Sequence, residues 1–203
     1  MSSDRRWDQR RFHIEESTTE NDGARTVFIE HMTPGTSVPP HYHNRFSETF
    51  DLISGGMKVH SLPPDPARSQ SPDEVLAALE ASSQPLSVGK KVTVQPGTYH
   101  RYVVDDRPTV LRVIIEPGDA DFERLLMTMN GLAEDGKLES LGDSVVLMAV
   151  VMGLADAHLI GPVGQMLEQV RREKDDEVEQ MRKELLGKYD NETQLKKLLD
   201  KGD

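Results

Sequence analysis

A chain of 203 residues with 36% hydrophobic content can bury the core of one domain, or of one domain with a helical appendage, and it is not disordered throughout. Lys and Arg number 24 against 35 Asp and Glu, a formal charge of -11 that repels phosphate backbones and anionic lipid, so nucleic acid and membrane are not expected partners. The absence of cysteine excludes disulfides, thiolate metal sites and cysteine nucleophiles, leaving His and carboxylate as the only strong metal ligands.

The N-terminal arginines have no apolar stretch behind them and do not read as a secretory signal, so a cytoplasmic location is expected. Residues 1–24 read as an arm. Residues 25–118 are β-like: short runs of β-branched and aromatic residues broken by Gly, Pro, Asp and Ser. The runs 25–31, 47–53, 57–60, 90–94, 100–104 and 109–115 predict strands of an antiparallel sandwich or barrel. Between them lies an insertion, 61–87, in which Ser71, Pro72 and Glu74 supply an N-cap, a first-turn proline and a capping-box acid, predicting a helix over 72–81. It is either a lid or a surface decoration. After residue 118 the period turns helical, and no further strand is predicted. Helices are expected at 121–134, 143–157, 162–186 and 191–199, with Gly187 stopping the third. The run 145–154 is about half the ~20 apolar residues a membrane span needs and reads as a buried helix that wants a cover, which predicts a homodimer.

The chemistry concentrates at residues 35–55 and 95–100. In an extended chain, residues two apart point the same way, so His41 and His43 project their imidazoles together as a chelating pair. Glu48 opens the next strand, and His100 follows a Pro96-Gly97 turn at the head of another. Three imidazoles and a carboxylate make a set suited to one divalent transition metal. The alternative is a barrel whose histidines are hydrogen-bonded structure without metal. His13, His31, His60 and His158 lack partners at ligand spacing.

These residues resemble the two motifs of the cupin superfamily. The first, G-x5-H-x-H-x4-E-x6-G, is matched by Gly35, His41, His43, Glu48 and Gly55; the second by Gly89, Gly97 and His100, with Gln95 and Val104 where proline and asparagine are usual. The segment 110–122 is similar to the last barrel strand and following helix of quercetin-dioxygenase-like cupins. The resemblance implies a mainly β fold, a double-stranded β-helix or jelly-roll barrel, here with an α-helical C-terminal extension over 119–203. It also implies a metal held by His41, His43, Glu48 and His100, with iron the first choice and Mn, Ni, Cu or Zn the others.

Four protein ligands on a six-coordinate ion leave about two open positions, which suits an enzyme acting on a small molecule. Within the resemblance, such sites serve dioxygenases and also redox-neutral cyclases, isomerases and decarboxylases. The leading expectation is dioxygenation of a small oxygenated substrate, aromatic or polyketide-like, with an enol or diketone group; a non-catalytic ligand-binding barrel is the other class. Glu48 can stay a ligand or act as base. Arg45, Phe50, Tyr99, Tyr102 and Arg112 are candidates to touch the substrate, and Phe46, Phe50, Met57, Val110 and Ile114 form either its apolar wall or ordinary core.

Overall fold

The computed structural model describes residues 11–64 and 71–199; the first ten residues of the expected arm and 65–70 of the insertion lie outside the described residues. Ten strands and six α-helices follow one another as β1 (Phe12–Glu16), β2 (Thr26–Met32), β3 (His41–Tyr42), β4 (Ser47–Ser54), β5 (Met57–Leu62), α1 (Pro72–Ala81), β6 (Gln84–Leu86), β7 (Lys91–Val94), β8 (Tyr99–Val104), β9 (Thr109–Glu116), α2 (Ala120–Glu134), α3 (Val145–Leu154), β10 (His158–Leu159), α4 (Pro162–Glu173), α5 (Asp175–Tyr189) and α6 (Glu192–Leu199).

The strands form two five-stranded antiparallel sheets, ordered β1-β2-β9-β4-β7 and β10-β3-β8-β5-β6. From β2 to β9 the chain passes repeatedly from one sheet to the other, and with β1 and β10 set aside the four strands of each, β2-β9-β4-β7 and β3-β8-β5-β6, have the order of a jelly roll. The protein is therefore a mainly β double-stranded β-helix with a helical extension. Alternation fills the barrel: β9 turns Leu111, Val113 and Ile115 inward opposite Leu52, Phe50 and Glu48 of β4. Gly55 makes the β4–β5 turn at φ 91°, where a Cβ would lie 2.6 Å from the Pro108 carbonyl oxygen, so only glycine fits.

Strands and helices expected from pattern are present with ends shifted by a few residues, and α1 has the predicted bounds with its capping box formed. Four strands were not expected. β3, β6 and β10 are too short to show a period. β1 lies within the stretch read as an arm, where Phe12 and Ile14 are buried and the strand covers the edge of β2. β10 overturns the expectation of no strand after residue 118; it pairs with β3 and covers the opposite sheet's edge.

The helix expected over 162–186 is two helices. The chain breaks at Lys174, and Asp175, Asp176 and Glu177 then start α5, acids that favour a helix N-terminus. Gly187 does not stop α5, because Tyr189 is buried beyond it and donates from its hydroxyl to Asp135 Oδ2 at 2.6 Å. The apolar helix α3 is covered by α2, α4 and α5 of the same chain, so the reason given for a partner's cover falls away. No described helix is long and apolar enough to cross a membrane. α2 is fastened to the barrel by buried Glu123, whose carboxylate accepts from the Ser17 hydroxyl (2.7 Å), the Thr18 amide (2.7 Å) and the Thr26 hydroxyl (2.8 Å).

Candidate metal centre

His41 on β3 stands directly across from His100 on β8, and His43 follows one turn of the pleat later. Glu48 reaches them from β4 of the facing sheet. One ligand atom from each of the four lies within 4.8 Å of all the others. His41 Nε2 is 3.1 Å from His43 Nε2, and Glu48 Oε2 is 3.1 Å from His100 Nε2 and 3.5 Å from His43 Nε2. His43, Glu48 and His100 are buried.

The outer nitrogens decide what the inner ones offer. Each Nδ1 faces a backbone carbonyl, that of Pro39 for His41 (2.7 Å), of Asp156 for His43 (3.1 Å) and of Thr98 for His100 (2.9 Å). A carbonyl only accepts, so each Nδ1 carries a proton and each ring turns its Nε2 into the cluster. The Nε2 atoms of His41 and His43 face each other at 3.1 Å beside a buried carboxylate, an arrangement suited to a cation between them. The residues fit a divalent ion, and a His3Glu cluster of this kind could hold one.

Electrostatics act on these groups differently. Burial, with the neighbouring His100 and His43, holds the His41 imidazole well below its ordinary value and therefore neutral. Burial opposes ionisation of Glu48, but hydrogen bonds from His100 and His43 outweigh it and hold the carboxyl far below the usual range. For His43, burial favours the neutral ring, and the Glu48 carboxylate more than offsets it, raising the value.

His41, His43 and Glu48 of the cluster line a cavity of about 190 Å³. Phe28, Phe50 and Val113 line it from the barrel, and Phe122, Leu126 and Val151 from α2 and α3. Among the described residues the insertion contributes nothing to the lining; the C-terminal helices supply the cover.

Of the five residues expected near a substrate, Phe50 and Tyr102 line the cavity. Arg45, Tyr99 and Arg112 do not. Arg45 is turned toward the extension, donating to Asp119 (2.7 Å) and to the Leu154 carbonyl (2.9 Å). Tyr99 has the parity opposite to His100 and packs edge-on to Tyr42, ring centroids 5.5 Å apart, in a groove beside α4. Arg112 lies on the outer face of β9 between Glu15 (2.7 Å) and Asp51 (3.4 Å). Val110 and Ile114 likewise have the outward parity, Met57 is barrel core, and Phe46 packs behind His43 at 4.6 Å.

The sequence reading missed Arg11, Glu30 and Asp156. Glu30 was findable: Thr26, Phe28, Glu30 and Met32 share one face of β2, and a carboxylate in an otherwise inward row is a signal. Asp156 had no local signal. Its carbonyl orients His43, its Oδ2 accepts from the amides of Asn44 (2.6 Å) and Arg45 (2.7 Å), and its Oδ1 is 3.2 Å from His158.

No family model matches the chain, and no curated protein matches it. Among solved structures it is similar to KdgF from a Halomonas species, at 16% identity over 54% of this chain and 80% of that one, with a TM-score of 0.42. It is similar to an uncharacterized protein with a double-stranded β-helix domain from Klebsiella pneumoniae (19% identity, 53% and 76% covered, TM-score 0.38). A third likeness is to the polyketide cyclase RemF from Streptomyces resistomycificus (15% identity, 52% and 62% covered, TM-score 0.39). The sheet order and the residue cluster described above make this chain a double-stranded β-helix with a candidate His3Glu metal centre.

Proposed function

We propose that the chain is a metal-dependent enzyme acting on a small, apolar, oxygenated molecule of the enol or 1,3-dicarbonyl type, aromatic or polyketide-like, and that the reaction is a dioxygenation with iron as the ion. One observation carries the proposal: three oriented imidazoles and a carboxylate converge beside an apolar cavity that three of them line. A divalent transition ion held by His41, His43, Glu48 and His100 would supply the charge that stabilises a developing enolate and, if redox-active, electrons to share with O2. The carbonyls of Pro39, Thr98 and Asp156 keep the three rings in register for it. Phe28, Phe50, Phe122 and Val151 exclude water and give a flat ring apolar surface on both sides. Glu48, ionised and buried with its carboxyl held far below the usual range, serves first as a ligand, and would accept a proton from substrate carbon only on leaving the ion.

Elemental analysis of the purified chain, followed by aerobic and anaerobic assays on a panel of diketones and flavonols, tests this reading. Exchange of the native ion for zinc is expected to abolish turnover, since zinc takes the same ligands but passes no electrons. Robust anaerobic turnover by the zinc form would replace dioxygenation with a redox-neutral Lewis-acid reaction. Absence of bound metal after refolding with each candidate ion would remove the enzyme reading altogether.

A further inference from the structure

The cavity has a second polar pole that the metal chemistry does not use. Glu30, 5% exposed, reaches into it from β2. Its Oε1 accepts both Nε (3.2 Å) and Nη2 (3.1 Å) of Arg11, and its Oε2 accepts the Tyr102 hydroxyl at 2.7 Å. A carboxylate has about four lone-pair positions; three are taken here, and one on Oε2 remains at the cavity wall.

The two poles are set apart by the fold. Glu30 lies across from Leu111, which lies across from Leu52; Glu48 lies across from Ile115. That is four register positions, roughly 13 Å, along the strands, and two strand spacings across the sheet with β9 between. The Phe50 ring stands between the poles, its centroid 6.0 Å from the His100 ring and 5.8 Å from the Tyr102 ring. The space between the polar ends is thus apolar and of the order of one aromatic ring with its substituents.

Charge narrows the occupant further. Among the described residues, Arg11 is the one Lys or Arg in the lining, and Glu30 already holds it with two hydrogen bonds. Glu30 offsets the charge of Arg11, so this pole presents no net positive charge to a carboxylate or phosphate. A cation gains little from a carboxylate already neutralised by Arg11. A hydroxyl group, in contrast, gains a charge-assisted hydrogen bond at the remaining lone pair.

We propose that Glu30, positioned by Arg11 and Tyr102, is a specificity-determining residue, and that the substrate is an uncharged aromatic molecule with metal-binding oxygens at one end and a hydroxyl donor at the other, the hydroxyl donating to Glu30 Oε2. This rests on the metal-site reading above and adds to it the distal end of the substrate.

The test uses three probes, benzoylacetone, its para-hydroxyl analogue and its para-methoxy analogue, titrated calorimetrically into the metal-loaded full chain without O2. The para-hydroxyl analogue is expected to bind about tenfold tighter than either of the others, the increment of a hydrogen bond to a charged acceptor. In Glu30→Met that preference collapses to within about threefold. Equal affinity of the three probes for the wild type overturns this proposal alone, as does an undiminished preference in Glu30→Met. No binding of any probe to fully metal-loaded protein overturns it together with the diketone reading. If Glu30→Met fails to fold, the comparison of hydroxyl with methoxy in the wild type decides, because the methoxy group accepts but cannot donate.

Discussion

His41 and His43 turn their Nε2 atoms into the cluster because the Pro39 and Asp156 carbonyls accept hydrogen bonds from their Nδ1–H groups, and this makes the candidate site's dependence on single residues testable. His41→Ala is expected to bring bound metal from near stoichiometric to near zero by elemental analysis. The metal-free wild type and the variant should melt within a few degrees of each other, since the barrel core is apolar and independent of the ion. A large loss of Tm in the metal-free state would show that the rings hold up the fold instead. Asp156→Ala keeps the carbonyl but loses the two amide contacts that fix it and removes a residue type suited to its φ of 50°. Metal affinity should fall about tenfold or more, as for other groups that orient a ligand from behind, and Asp156→Asn should recover most of it. Burial works against the Asp156 carboxylate, but the Arg45 and Asn44 amides outweigh it and lower its value from 3.8. Its contribution to stability is therefore complete above pH 3.8 and is lost as pH falls through the lower folded value. In chelator-treated protein, the Tm gap between wild type and Asp156→Asn should close as pH drops below 3.8. The four candidate ligands were legible because spacing within a strand and across a turn sets which side chains can meet. The direction of Arg45, Tyr99 and Arg112 was not, because it depends on Asp119, Tyr42 and Glu15, partners far away in the chain.

The helical extension belongs to the site as well as to the fold. α2 and α3 wall the cavity, and β10 extends the sheet that carries His41, with Leu159 paired to His41 itself. α4 crosses β10 so closely that a Cβ on Gly164 would sit 1.9 Å from the Leu159 carbonyl oxygen. Gly164→Ala must push the two apart, at a cost of about 1–3 kcal/mol. Because the displaced strand holds His41, metal content should fall along with Tm; a Tm loss with full metal occupancy would uncouple the helix from the centre. Leu154→Ala, at the buried end of α3, should cost about 2–5 kcal/mol in denaturant unfolding. Periodicity and caps revealed most of these elements. They could not reveal β10, two residues long, or the break at Lys174, where charge pattern alone continues a helix.

On the scale of the whole molecule, the jelly roll followed from alternating short strands, whereas the placement of the helices over the cavity did not, since nothing local says which apolar face meets which. That placement has a consequence in time. All four candidate ligands lie within the first 100 residues, but the carbonyl that turns His43 toward the cluster comes 113 residues after it. His41 and His100 find their orienting carbonyls two residues away, so a chain being synthesised can set those two rings early and His43 only after residue 156 has been made. A molecule cut before that residue is therefore expected to compete poorly for ions, which metal-binding titration of such a truncation checks.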